Sequence, residues 1–362
     1  MKLRMLLIVG VAFAGVALAA AQEQPPAPNR HPGVQAAADP GYAAVIAMCR
    51  NKPPAAQGAP GGAGRGRGAA PGAAAPADST VKAIPGVVAA GAKWTKVWET
   101  EGNNADGVVG TNDGGLLVAQ NTNSDVVKLD AQGRPSVVYK DTYTGGALSM
   151  NKKGQLFIAE RALNPAIWEL APKRQLLANM YMGDPLDCLG GVLNDISAAS
   201  NGGVYFTQGG LFYADPKGVV TKYGENLRTN GIILSPDEKT LYVTNGPGVA
   251  AFDVNPDGSL KNQREFAKLP FGNGDGSTID GQGRLYVTGG TAVHVIDRDG
   301  QYLGNIPTPG GVIAVAFSGQ NKKTLFTVVS LRNPNVQGIA GISGAQVWSI
   351  PMVAQGYKGR AK

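Results

Sequence analysis

The feature of this sequence that most restricts its fold is a pair of short strand-like runs that recurs six times. Each run is rich in Val, Ile, Leu, Tyr and Phe, and turns containing Gly, Asn or Asp separate the runs. Such a unit is too small to bury its apolar side chains alone, so the copies must pack on one another. The first runs span residues 116–119, 155–159, 203–207, 240–244, 284–288 and 324–328, and the second runs span residues 125–130, 166–171, 210–215, 248–254, 292–300 and 345–350.

The spacing of these repeats indicates a closed ring. One position recurs at about 42 residues, which is the repeat length of a β-propeller blade. It lies ten or eleven residues before one apolar residue of each first run, namely Leu116, Leu156, Val204, Leu241, Leu285 and Leu325. An alternating run at 93–100 precedes the first repeat, and we predict that it forms the outer strand of the last blade, because strands from both chain ends then close the ring without a free edge. The sequence therefore predicts an all-β, six-bladed β-propeller over residues 81–357, closed by an N-terminal strand. A solenoid of β repeats is the alternative architecture.

Residues 1–80 do not carry the repeat. Residues 1–21 begin with two basic residues, continue with an apolar run at 5–18 and end in small residues, which is the pattern of a cleaved signal peptide. Residues 22–80 are predicted to be a disordered low-complexity linker, since 21 of the 24 residues from 53 to 76 are Ala, Gly or Pro and have little apolar surface to bury. We expect a periplasmic or secreted protein with no membrane span after signal cleavage, because the apolar run is shorter than the roughly 20 residues that cross a bilayer.

The net charge of +7 does not indicate a nucleic-acid-binding surface. Basic residues exceed acidic residues by four within residues 1–80 and by only three in the rest of the chain. No basic stripe or run of alternating basic and aromatic residues is present. We expect a small molecule as the partner and no nucleic acid.

The sequence does not decide whether the two cysteines form a disulfide. Cys49 and Cys188 are the two cysteines. In an oxidising compartment they could form one disulfide, which would tie the N-terminal segment to the propeller. One loose thiol and one buried thiol is the alternative, and the spacing does not decide between them.

Side-chain oxygen atoms occupy four of the six equivalent positions in the repeats. In a propeller these positions lie at the beginning of the innermost strands and converge on the central channel. Two carboxylates and two amide oxygens, without Cys or His, suit a hard divalent cation, calcium above all. The four predicted metal ligands are Asp106, Asn194, Asn230 and Asp275, and the other two blades contribute Gly146 and Ala314.

The shared register of these residues, rather than any one dipeptide, indicates a site. Asn-Gly and Asp-Gly pairs are common turns, so each alone is more often a turn than a ligand. Glycine follows three of the four predicted ligands and would let a neighbouring backbone approach closely. Glu101 is a competing first ligand, but it lies five residues too early for the register.

Three segments around these positions resemble segments of a known family. They are TNGIILSPDEKTLYVTN at 229–245, NDISAASNGGVYFT at 194–207 and GDGSTIDGQGRLYV at 274–287. The family is the senescence marker protein/gluconolactonase/luciferin-regenerating-enzyme-like family of six-bladed propellers, which also takes in calcium-dependent organophosphate hydrolases of related fold. The resemblance covers roughly residues 90–352.

The resemblance implies roles for individual residues. Asn230 and Asp275 would bind the metal, with Asp275 also the catalytic base, and Asn194 would face the metal or the substrate. Asp106 stands where the family usually has Glu. Val192 stands where sugar-lactone members have Arg, so the resemblance does not imply a gluconolactone substrate.

The sequence and this resemblance together predict an exported hydrolase of the lactonase or esterase type, with a calcium-like ion that polarises the substrate carbonyl. A phosphotriesterase at the same site is one alternative. A non-catalytic propeller that binds a ligand or a protein, braced by a structural metal, is another. Nucleophilic catalysis by a Ser-His-Asp triad is disfavoured, because the only histidines are His31 in the Pro-rich segment and His294 in a predicted strand.

Overall fold

The computed structural model describes residues 30–51, 80–332 and 342–359. These residues form six four-stranded antiparallel sheets arranged as the blades of a propeller, which confirms the predicted fold. In chain order the strands are β1 (Thr95–Glu101), β2 (Ala105–Gly110), β3 (Leu116–Gln120), β4 (Asp125–Leu129), β5 (Pro135–Tyr139), β6 (Ala147–Met150), β7 (Leu156–Glu160), β8 (Ala166–Ala171), β9 (Gln175–Ala178), β10 (Met180–Tyr181), β11 (Asp184–Pro185), β12 (Ile196–Ala198), β13 (Val204–Thr207), β14 (Leu211–Ala214), β15 (Val220–Tyr223), β16 (Thr229–Leu234), β17 (Thr240–Asn245), β18 (Gly248–Val254), β19 (Leu260–Lys268), β20 (Ser277–Ile279), β21 (Leu285–Gly289), β22 (Ala292–Ile296), β23 (Tyr302–Pro307), β24 (Val312–Ser318), β25 (Thr324–Arg332) and β26 (Ile342–Pro351).

Helical structure is minor in the described residues. Helix α1 spans Tyr42–Met48, and 3-10 turns occur at Ala36–Ala38, Leu186–Leu189 and Gln320–Lys322. No helix in the described ranges has the length and apolar character needed to cross a membrane.

Five blades are built from consecutive strands, and the sixth is shared by the two ends of the propeller. The consecutive blades are β2–β5, β6–β9, β12–β15, β16–β19 and β20–β23, whereas the last sheet has the order β24, β25, β26, β1. Strand β1 pairs with β26 from Thr95 opposite Ser349 to Glu101 opposite Gly344. The predicted closure by an N-terminal strand is therefore confirmed, and β1 completes the last blade as its fourth, outermost strand.

The core lies between the blades. Six clusters of buried apolar side chains are found, and each joins two neighbouring blades around the ring. Because each blade is covered on both faces, strands such as β3 are buried at every position. The first strand of each blade packs beside the first strands of its two neighbours, so β2, β6, β12, β16, β20 and β24 surround the central channel.

Residues 30–51 pack on the propeller, although they fall within the 22–80 segment that was predicted to be a disordered linker. Cys49 forms a disulfide with Cys188, with a Cα–Cα distance of 5.7 Å, which resolves the two alternatives for the cysteines. The Arg30 guanidinium lies 2.7 Å from the buried Glu160 carboxylate. Contacts with residues far away in the sequence thus hold this segment on the propeller. The local sequence, a short apolar stretch among prolines, does not indicate such contacts. Residues 1–21 and the Ala/Gly/Pro run at 53–76 lie outside the described residues.

Candidate functional site

The structure brings the four predicted ligands together at one end of the central channel. Asp106 and Asn230 lie in β2 and β16, while Asn194 and Asp275 come two residues before β12 and β20. All four line one cavity of about 20 Å³, which is enough for roughly one water molecule or ion.

At two of the four positions, Asp106 and Asn230, irregular pairing at the start of the innermost strand places the side chain in the channel. In β2 the register shifts between Ala105 and Val108, and in β16 it shifts between Thr229 and Ile232. Bulges of this kind redirect a side chain away from the regular alternation of a strand. These two positions therefore face the channel although the rest of each strand packs in the core.

The glycines after the ligands allow neighbouring innermost strands to touch backbone to backbone. The amide of Gly107 donates to the carbonyl oxygen of Gly146 (2.6 Å), and the amide of Gly276 donates to that of Ile313 (2.9 Å). A Cβ atom on Gly231 would overlap the carbonyl oxygen of Asp275. The Asn-Gly and Asp-Gly pairs thus combine a channel-facing oxygen with a position that has no room for a side chain.

Gly231→Ala is expected to destabilise the ring by about 1–3 kcal/mol, because the added methyl group meets a backbone atom that cannot rotate away. Urea unfolding of the variant and the wild type measures this difference. Gly281→Ala is the matched control, since its nearest neighbour would be an ordinary 3.5 Å away. Equal unfolding free energies for Gly231→Ala and Gly281→Ala would show that the two strands are not in close contact.

The carboxylates of the site influence one another. Removal from water raises the pKa of Asp275 well above its ordinary value, and the nearby carboxylates of Asp106 and Asp195 raise it further. Asp195 also lines the cavity, but one of its oxygens accepts a hydrogen bond from the Ile232 amide in the next blade (2.9 Å). Asp195 therefore contributes negative charge to the site while it links two blades.

Arg161 reaches the same cluster, and sequence reasoning missed it. This residue directly follows β7 in the second blade and is 5% exposed. Its Nη1 atom lies 2.5 Å from the Asp106 carboxylate, and its Nη2 atom donates to the backbone oxygen of Asn194 and lies 3.3 Å from Asn194 Oδ1. The Nε atom donates to the carbonyl oxygen of Leu193 (2.8 Å). The one signal in the sequence is Gly146, which is one of the two blade-start positions without a ligand atom and the one that has no side chain.

A hard cation fits the remaining donors. Asn230 Oδ1 is buried and has no hydrogen-bond partner, and it lines the same cavity as the Asp275 carboxylate. A cation between them would give the amide oxygen a partner and would neutralise the buried negative charge. Within the described ranges, no group of three or more His, Cys, Asp or Glu side chains is arranged to hold a metal. A cation bound here would therefore need the amide oxygens of the asparagines among its ligands.

The other candidates lie away from this cavity. Glu101 ends β1, the outermost strand of the last blade, so its backbone is not on an innermost strand. His294 is fully buried with Nδ1 3.0 Å from the Tyr302 hydroxyl oxygen, and burial lowers its pKa to about 4. His31 Nδ1 lies 2.7 Å from the Asp39 carboxylate. Neither histidine lines the cavity.

Two curated relatives align with part of this chain. It is 26% identical over 235 residues to a gluconolactonase of Zymomonas mobilis, an alignment that covers 55% of this chain and 64% of that protein. It is 29% identical over 150 residues to a lactonohydrolase of Aspergillus oryzae, covering 33% of this chain and 32% of that protein. The chain thus spans less than two thirds of the length of these curated relatives.

Solved structures share the fold. A gluconolactonase from Xanthomonas campestris superposes with a TM-score of 0.62 and 24% identity over 75% of this chain and 94% of that one. Regucalcin from Agrobacterium tumefaciens, described as a calcium-binding protein, gives a TM-score of 0.57 and 19% identity over 72% and 94% of the two chains. At these identities the similarity establishes the fold alone.

A family model provides the most direct assignment. The model of the SMP-30/gluconolactonase/LRE-like region matches residues 137–330, which are more than half of the chain and include three of the four predicted ligands. The protein therefore belongs to the SMP-30/gluconolactonase/LRE-like family.

Proposed function

We propose that this protein is an exported, metal-dependent hydrolase of the lactonase or esterase type that acts on a small molecule. The observation that supports it most is the convergence of four oxygen-donor side chains, each from a different blade, on one cavity with an unpartnered Asn230 Oδ1. Membership of the family and the names of the relatives favour a lactone or ester as the substrate class. The fold by itself would not favour any reaction.

Asn230 and Asp275 would hold the metal. Asp106 and Asn194, whose oxygens also contact Arg161, would complete the set of ligands. Oxygen donors of this type match calcium best. When bound there, a divalent cation supplies positive charge that polarises the carbonyl of the substrate.

Asp275 is the residue that we assign as the base. Its carboxylate lines the cavity, and in its ionised form it would accept a proton from the attacking water. Asn194 lines the same cavity and would orient the substrate by hydrogen bonding.

Export is supported by the disulfide between Cys49 and Cys188, because such bonds persist in oxidising compartments. The signal-like pattern of residues 1–21 gives the same indication. Cell fractionation measures this directly, and recovery of the protein with an uncleaved N-terminus in the cytosol would contradict export.

Calcium is expected to raise the melting temperature of the chelator-stripped protein, because a cation that binds only the folded ring stabilises it by mass action. Thermal unfolding with increasing calcium measures the shift, and Asn230→Ala should reduce it. The same samples are assayed with lactones, aryl esters and phosphotriesters, each with and without chelator.

Chelator-sensitive turnover of a lactone or aryl ester is the expected result of the assay. Turnover of phosphotriesters alone would show that the substrates are phosphotriesters rather than lactones or esters. A calcium-dependent thermal shift without any turnover would favour a binding propeller with a structural metal. No shift and no chelator effect would contradict the metal site.

A further inference from the structure

The guanidinium of Arg161 occupies the place that the second blade leaves open in the ring of donors. Gly146 is the blade-start position of that blade, and a Cβ atom built on it would overlap the guanidinium carbon of Arg161. Blade two therefore contributes a cation where four other blades contribute an oxygen atom. The absence of a side chain at Gly146 is what makes room for it.

Arg161 holds two of the four predicted ligands. It forms an ion pair with Asp106 and contacts both the backbone and the side-chain oxygen of Asn194. A guanidinium stays protonated under all conditions in which a protein folds. Its positive charge thus lies against both of these predicted ligands.

We infer that Arg161 is a built-in competitor of the divalent cation for Asp106 and Asn194. This inference rests on the proposed metal site. Two positive groups that share the same oxygens repel each other, so binding of the cation must weaken the contacts of Arg161 with these ligands. The affinity for calcium is therefore lower than the four oxygen donors alone would give.

The test compares calcium dissociation constants, measured by calorimetry on chelator-stripped protein, for the wild type, Arg161→Gln and Gly146→Ala. The first variant removes the charge. The second keeps the arginine but adds a methyl group where its guanidinium now lies. Because the guanidinium is the end of a flexible side chain, it can move away from this methyl group. Both variants are expected to bind calcium on the order of tenfold more tightly than the wild type.

Two control variants accompany them. Arg174→Gln removes another arginine of the second blade, which pairs with Glu160 at 3.0 Å and donates to the backbone oxygens of Lys140 and Asp141 rather than to a predicted ligand. Gly281→Ala adds a methyl group where there is room for it. Both controls are expected to keep the wild-type affinity for calcium.

The outcomes separate this inference from the metal site itself. Unchanged or weaker calcium binding in Arg161→Gln and Gly146→Ala, with binding in the wild type intact, would overturn the inference and leave the metal site standing. Absence of binding in folded wild type and in both variants would overturn the metal site and the inference together. If Arg161→Gln does not fold, as judged by thermal unfolding, Gly146→Ala decides the question.

Discussion

Asp275→Asn is expected to lower kcat for lactone or ester hydrolysis by about 10²–10⁴-fold, even at saturating calcium, because an amide cannot accept the proton that a general base removes. Asp106→Asn is expected to lose activity at low calcium and to regain it at saturating calcium. An amide in place of this ligand carboxylate weakens binding of the cation without removing the base. Steady-state kinetics over a range of calcium concentrations distinguish the two results.

Asp299→Asn is the matched control for these substitutions, since its side chain is 71% exposed and lies outside the cavity. It should keep wild-type kinetics. Wild-type activity and metal content in both Asp275→Asn and Asp106→Asn would place the reaction elsewhere. Glu101 and residues 181–190, which precede the first strand of the third blade, would then be the next places to test.

Loss of the disulfide is expected to lower the free energy of unfolding by about 2–4 kcal/mol, because the bond closes a long loop and so restricts the unfolded chain. The two cysteines are 139 residues apart. Urea unfolding of the Cys49→Ala/Cys188→Ala double variant measures the difference. Deletion of residues 1–51 should cost more, since it also removes Arg30 from the buried Glu160 carboxylate.

Deletion of residues 1–29 is the control for that truncation, because it retains Arg30, helix α1 and Cys49. Its unfolding free energy should match that of the full chain. If deletion of residues 1–51 were equally harmless, the contacts of the 30–51 segment would contribute nothing to the stability of the propeller.

The ring and its donor positions could be predicted from the sequence because both depend on a repeated register. One position per repeat marks the start of an innermost strand, and four of these positions carry an oxygen atom. The closing strand β1 was visible as an alternating run at one end of the repeats. These features need only local patterns and the requirement that a repeat pack on its neighbours.

Arg161 could not be predicted, because it lies outside that register, just after the second strand of its blade. Only the three-dimensional proximity of Gly146 shows why it reaches the channel.

Asp184 and Asp187, which precede the third blade, are both buried. Asp184 accepts hydrogen bonds from the backbone amides of Arg50 and Asn51 (3.2 and 2.9 Å). Burial raises the pKa of Asp187 to about 6. The segment that packs near these residues is distant in sequence and has no repeat of its own, so no local pattern indicates that they are buried.

The pairing of β1 with β26 has a consequence for biosynthesis. Because β1 ends at Glu101 and its partner begins at Ile342, a ribosome must translate some 240 further codons before the partner of β1 exists. Until then the nascent chain exposes the apolar faces of its first and fifth blades and the pairing edge of β1. A chaperone that shields these surfaces during synthesis or translocation would have its largest effect on this protein just before the last blade emerges.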